Sequence, residues 1–295
     1  MAKPIKNVGA SIRAKLLALA QQKNQSFDVL LTRYVLERFL YRLSQSDFAD
    51  RFVLKGAMLV STWFDEPHRP TRDLDLLGFG DSSADPMLAV FRTICAISVN
   101  DGVVFDLEGL RVDQIREELE YGGLRLRTTA TLAGARIPVV VDIGFGDATE
   151  PGLEEIDLPV LLNQPAPHLR SYPREAVIAE KFHAMATLGL ANTRLKDFYD
   201  VWMLSKVYEF DDARLAQAIA ATFHRRKSEI PVELPDAFTE AFSKDDRKLQ
   251  QWDAFIRNMA IEPVPFDSIV AGLARFLMPV AQQARALTAT PPIHR

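Results

Sequence analysis

Apolar positions along the chain fall into three regimes. In the first they recur at helical spacing. Ile12, Leu16, Leu17, Leu19 and Ala20 mark one amphipathic helix over 9–23, and Phe27, Leu30, Leu31, Tyr34, Val35, Phe39 and Leu40 mark a second. Ser26 is placed to cap the second. In the second regime the period shortens. FVLKG (52–56) is a short apolar run closed by glycine, AMLVSTWF (57–64) returns to helix, and RDLDLLGF (72–79) alternates apolar residues with acids, as a strand does. PMLAVFRTICAISV (86–99) predicts a helix opened by Pro86 and capped by Asp85. VVFDLEGLRV (103–112), GLRLRTTATL and IPVVVDIGFG predict strands, with YGG (121–123) and AGA (133–135) as the turns between them.

The third regime begins after a proline-rich stretch, 147–172, which carries four of the 17 prolines and no long periodic pattern. It reads as a crossover between domains. From Pro173 onward PREAVIAEKFHAMATL, RLKDFYDVWMLSKVY, DARLAQAIAATFHRRK, DAFTEAFSKDDRKLQQWDAFIRNM and DSIVAGLARFLMPVAQQARAL all carry the helical period, ahead of a frayed tail. The expected architecture is α+β: a mixed-sheet domain with N-terminal helices over 1–165, then a helical domain over 166–295 that completes the functional site.

Composition narrows the field. The 295 residues carry a formal net charge of −4, so a general coat of nucleic-acid contacts is disfavoured, although a local basic groove is not. Cys95 is the single cysteine and sits in an apolar run, which leaves no disulfide framework and no thiolate zinc cage. No window approaches the roughly 20 apolar residues of a membrane span. A cytoplasmic protein with no membrane partner is expected. The chain contains no G-x-x-x-x-G-K-[ST] loop, no G-x-G-x-x-G, no G-x-S-x-G and no H-E-x-x-H.

Candidate chemistry lies first in RPTRDLDLLGFG (69–80). Asp73 and Asp75 stand two residues apart on a predicted strand, so both carboxylates project to one face about 7 Å apart at the backbone. Like charges that close repel unless a cation joins them. Mg²⁺ (or Mn²⁺) answers this need, because it is held by one or two carboxylates together with substrate phosphates. Asp142, in VVVDIGFG, is placed to be a third ligand from a central strand, with Asp106 behind it. Arg69 and Arg72 supply positive charge ahead of the acids. The bland alternative is a solvated D-x-D on a strand edge.

The second constellation lies in the helical half. Lys181, in EKFHAM, and Asp197 and Asp200, in RLKDFYDVWML, suggest a cation bridging two acids that share a helix face. Asp200 falls among apolar neighbours and needs a partner. A structural salt bridge between packed helices would explain the same pattern. His183, beside Phe182, reads as a buried structural histidine. Arg125 and Arg127 share a strand face and, with Arg136, Arg170, Arg174 and HRRK (224–227), are the candidates for a nucleic-acid groove; a solvated helix end explains HRRK equally.

These blocks together resemble the nucleotidyl transferase toxins of the AbiEii/AbiGii type, a group that includes the MenT toxins and is similar to polymerase β-like nucleotidyltransferases. Lys55, Gly56 and Ala57, then Arg69, Thr71, Asp73 and Asp75, fall on the family's first motif. Lys181 falls on its functional lysine, and Arg194, Asp197 and Asp200 on its Arg-x-x-Asp-x-x-Asp segment. The resemblance implies that Asp73 and Asp75 hold Mg²⁺ on the triphosphate of an NTP, that Gly56 lets the backbone approach the phosphates, and that Lys181 contacts them with Asp200 acting near it. It further implies transfer of an NMP to an RNA, with tRNA 3′ ends first among acceptors, or to a protein, and a cognate antitoxin. The sequence departs from the pattern at Ala57, where many nucleotidyltransferases carry a serine whose hydroxyl touches a phosphate. Two other classes remain open: a non-catalytic nucleotide- or RNA-binding module that retains the fold, and a phosphotransferase.

Overall fold

The computed structural model describes residues 7–64, 71–115, 122–257, 259 and 264–289. It forms two compact units, the first from residues 1–146 and 154–171, the second from 147–153 and 172–295. The expected boundary lay at 165/166. The units divide later because the segment around 154–171 forms strands that join the first unit's sheet.

In the first unit, helices α1 (Val8–Gln22) and α2 (Phe27–Ser44) precede β1 (Phe52–Lys55), the short helix α3 (Gly56–Val60), β2 (Leu74–Gly78) and α4 (Ala84–Ala96). The remaining strands are β3 (Val103–Phe105), β4 (Arg111–Ile115), β5 (Gly123–Leu132), β6 (Ala135–Phe145), β7 (Glu154–Asp157) and β8 (His168–Ser171). They pair in the order β3-β5-β6-β2-β1-β8-β7, with β4 also on β5. The pairs β2–β6 and β1–β8 are parallel and the others antiparallel, so the sheet is mixed, as the sequence pattern predicts.

One face of the sheet is apolar. Leu54, Leu76 and Ile143 lie side by side across β1, β2 and β6, with Leu124 next on β5, and all are buried. Phe52 of β1 packs tilted against Phe91 of α4, at 5.1 Å between ring centroids, and Phe39 of α2 stacks on Phe91 at 5.9 Å. These helices therefore cover that face. Residues one step out of phase along the same strands point to the opposite face.

Several local features differ from expectation. The run 103–112 is two strands, because Asp106 turns the chain: its carboxylate accepts the Gly109 N–H at 2.9 Å. That role accounts for Asp106 without a metal. Helix α4 starts after Ser83 and not after Asp85, which lies in its first turn. The short polar strands β7 and β8 carry no periodic apolar signal, so the pattern shows only loop there. The predicted YGG turn falls partly outside the described residues. The AGA turn is a tight hairpin in which Ala133 and Gly134 both have positive φ and Leu132 pairs with Ala135.

Helix α2 is more buried than its pattern suggests. Glu37, Arg38 and Arg42 are all buried. Arg42 forks onto both oxygens of the buried Asp101 at 2.7 and 3.1 Å and donates to the Ile97 and Val103 carbonyls. Burial of Glu37 and Arg42 is tolerated because each is paired and hydrogen-bonded, Glu37 to Arg33 and the Leu161 N–H and Arg42 to Asp101.

The second unit is helical: α5 (Arg174–Leu188), α6 (Leu195–Val207), α7 (Asp212–Arg225), α8 (Glu240–Ser243), α9 (Asp246–Arg257) and α10 (Phe266–Ala289). Asp211 caps α7 by accepting the Ala213 and Arg214 N–H groups. The long predicted helix over 236–259 is broken into a 3₁₀ turn, α8 and α9. An aromatic core joins the unit: Phe182 lies 5.6 Å from Phe223, and Phe198 lies 5.3 Å from Phe242 and 5.8 Å from Phe266. Among the described residues, no helix is long and apolar enough to cross a membrane.

Candidate active site

The polar face of the first unit's sheet carries a row of charges set by strand register. Lys55 on β1 lies opposite Asp75 on β2, Asp75 lies beside Asp142 on β6, Asp142 lies opposite Arg125 on β5, and Arg125 lies opposite Asp113 on β4. Directly opposed residues share a sheet face. The order along the row is therefore cation, acid, acid, cation, acid.

The two acids of the D-x-D motif are held differently. Strand β2 begins at Leu74, so Asp75 is part of the ladder, half-buried, whereas Asp73 stands exposed in the bend just before it. The buried Thr71 fixes that bend. Its hydroxyl donates to the Asp73 carboxylate at 2.8 Å and lies 3.1 Å from the Asp73 carbonyl. Thr71 therefore positions an acid.

Gly56 opens α3 with φ of +68°, a left-handed conformation that favours glycine. A Cβ there would overlap the Asp75 carboxylate and stand only 2.6 Å from its Cβ. The backbone of the β1–α3 turn thus approaches the acid as no other residue would allow. Ala57 follows, buried in the first turn of α3. Arg72 is exposed, and Arg69 lies outside the described residues.

Asp142 is engaged. Arg125 Nε and Nη2 donate to its two oxygens, each at 2.6 Å. The pair holds the Arg125 guanidinium more firmly charged than usual, through Asp142 first, with Asp73 and Asp75 adding to it. Arg127 pairs instead with Asp113. Both arginines expected in a nucleic-acid groove are consequently in ion pairs. Among the described residues no group of three or more His, Cys, Asp or Glu side chains is arranged to hold a metal, and of the three expected ligands Asp142 is the one engaged by an arginine.

In the second unit, α5 presents Lys181 to α6, where Asp197 and Asp200 stand three residues apart on one face. Lys181 Nζ donates to Asp197 and, at 3.0 Å, to Asp200, which is fully buried. The predicted cation–acid couple is therefore present as a three-membered cluster. Arg194 is exposed at the N-terminal boundary of α6, its backbone N–H bonded to Asn192.

A neighbouring network had no separate signal in the sequence. Arg226, from the HRRK segment, lies 3.7 Å from both Asp147 and Glu180, and the Tyr172 hydroxyl lies 3.3 Å from Glu180. Arg226 also donates toward His183 Nδ1 at 3.2 Å. That leaves the proton on Nε2, which faces the Ser228 hydroxyl at 2.8 Å. The imidazole is committed as a donor to the serine, so the pair lacks a general base and is no nucleophile. Burial, then Arg226, pushes the His183 imidazole down to about 4. The structural reading of His183 holds.

Cavities of about 320 and 300 Å³ lie elsewhere, the first around Trp252, Ile256 and Phe266 of the second unit, the second around Lys23, Arg33 and Thr62 of the first. Neither is lined by a predicted site residue.

A mixed sheet with paired acids beside a glycine turn, followed by a helical unit, is the build of a nucleotidyltransferase, and the comparisons agree. The model of the AbiEii nucleotidyl transferase toxins of type IV toxin–antitoxin systems matches residues 38–272. The chain belongs to that family. Membership carries a nucleotide substrate and an antitoxin partner with it. Among solved structures, JHP933 from Helicobacter pylori is 16% identical, with a TM-score of 0.50 over 90% of this chain and 98% of its own. A second H. pylori protein, described as a candidate nucleotidyltransferase, is 16% identical with a TM-score of 0.50 over 89% and 98%. At that identity the likeness concerns the fold. No curated protein matches the sequence.

Proposed function

We propose that this toxin transfers an NMP from an NTP to an RNA, with tRNA 3′ ends first among acceptors, or to a protein, and that Asp73, Asp75, Lys181 and Asp200 carry the reaction in the cytoplasm. The observation that supports the reading best is the Gly56–Asp75 approach. Only a glycine lets the β1–α3 backbone come this close to Asp75, so the turn that would cradle the phosphates lies directly beside an acid that would hold the metal.

The donor set suits a hard divalent cation: carboxylate oxygens, partial exposure, and a glycine turn set against Asp75 more closely than any side chain would allow. Mg²⁺ or Mn²⁺ would be held by Asp73 and Asp75, where it would neutralise triphosphate charge and draw electron density from the α-phosphorus. The chain's own groups do the rest. Thr71 orients Asp73. The Gly56 backbone lets the phosphates come close, with Lys55 standing across from Asp75 as a further cation. Lys181 supplies positive charge to the phosphates, and its ammonium is aimed by Asp197 and Asp200. Arg72 and Arg194, both exposed, add charge for the nucleotide, as does Arg69. The missing first-motif serine is replaced by backbone N–H groups around Ala57. The acceptor oxygen bonds to the α-phosphorus as the bond from that phosphorus to the bridging oxygen breaks; pyrophosphate leaves, and the hydroxyl proton passes to water.

The test is transfer of label from each α-³²P-NTP in turn to total RNA and to cell protein, with Mg²⁺ present. The wild type should label one acceptor class, and Asp75→Asn and Lys181→Ala should not. Mass analysis should show an added NMP, which excludes phosphotransfer. Absence of labelling by folded wild type with all four NTPs would overturn the proposal and favour a non-catalytic module.

A further inference from the structure

We infer that Arg125 withdraws Asp142 from cation binding, so that the acid face carries a two-carboxylate, single-ion site made by Asp73 and Asp75. The inference deepens the reading above and rests on its assignment of the metal to those two acids.

Register alone would suggest otherwise. Asp75 and Asp142 are directly paired on adjacent parallel strands and share a face, the natural start of a three-acid cage. Two like charges so placed destabilise the sheet unless a cation joins them. Arg125 is that cation. Its planar fork matches the carboxylate, and both Asp142 oxygens accept from it at 2.6 Å. A metal ion seeking Asp142 must displace a bidentate pair and approach an acid whose charge is already balanced. Arg125 itself has an alternative acid in its register partner Asp113, but Arg127 takes Asp113 and leaves Arg125 to Asp142. The two arginines on one face of β5 are thus explained as counter-charges to two acids, without a nucleic acid. Arg125 acts through Asp142 and is a positioning residue.

Mn²⁺ titrated into the full-length chain, with free Mn²⁺ counted by its EPR signal, tests the inference without reference to activity. Wild type should bind one Mn²⁺ at this face. Arg125→Gln should free Asp142 and either add a second Mn²⁺ or tighten the first at least fivefold. The near-isosteric double variant Arg125→Gln/Asp142→Asn should return to one Mn²⁺ within threefold of the wild-type affinity. A tenfold or greater loss in the double variant, or two Mn²⁺ per wild-type chain, overturns the inference; the double variant decides even if Arg125→Gln alone fails to fold. Asp75→Asn separates the two readings. If it keeps wild-type Mn²⁺ affinity, the metal assignment to Asp73 and Asp75 fails, and this inference with it.

Discussion

His183 should make the second unit acid-sensitive by a calculable amount. Burial and the Arg226 guanidinium push its imidazole from an ordinary 6.5 down to about 4. The unfolded chain takes up the proton below about pH 6.5, while the folded chain resists until about pH 4. Between those values the unfolded state binds more protons, so stability falls as the pH drops through this window and is fully present above it. Two and a half pH units at 1.36 kcal/mol each set a ceiling of about 3.4 kcal/mol, of which about 2.5 kcal/mol is lost by pH 4.5. His183→Gln keeps a donor toward Ser228 and removes the titration. Urea melts of both proteins at pH 7.5, 6.5, 5.5 and 4.5, followed by tryptophan fluorescence, isolate the histidine, because carboxylates titrate alike in each. Wild type should lose about 2.5 kcal/mol more than the variant across the series. Parallel pH profiles, or a His183 imidazole NMR signal (the one missing from His183→Gln) titrating near 6.5, would refute the argument.

Three further outcomes are expected. Gly56→Ala should cost about 1–2 kcal/mol for the left-handed backbone alone, and it should also weaken Mn²⁺ binding because the new methyl group displaces the Asp75 carboxylate; unchanged binding would count against the cradle. Arg42→Met leaves the buried Asp101 carboxylate without its fork and should lower stability by about 3–5 kcal/mol, much of it recovered in Arg42→Met/Asp101→Leu; a loss below 1 kcal/mol in urea melts would show the pair to be unimportant. Lys181→Met should destabilise by about 3 kcal/mol because Asp200 is buried beside it, whereas Lys181→Met/Asp200→Asn should regain most of that stability yet remain inactive in labelling; an active double variant would make the cluster purely structural.

Much of this protein is legible in its residues. The switch from a period of 3.6 to a period of two, and back again after 172, determines the mixed-sheet unit and the helical unit, because burying one face is what each period accomplishes. The D-x-D motif, the glycine before Ala57 and the Lys181–Asp197–Asp200 set are also local patterns. Residues close in sequence on one element, or on two packed helices, keep their relation in the fold. What tertiary structure decided is everything that depends on which strand lies beside which. The sequence places Asp142 on a central strand and Arg125 on another, but only the register β5–β6–β2 sets the arginine against Asp142. In the same way, Arg42 finds Asp101 and Arg226 finds Glu180 across 59 and 46 residues of chain. A one-residue shift of register in β6 would turn Asp142 to the opposite face, away from Arg125, so the charge row is a property of the assembled sheet, and no single segment contains it.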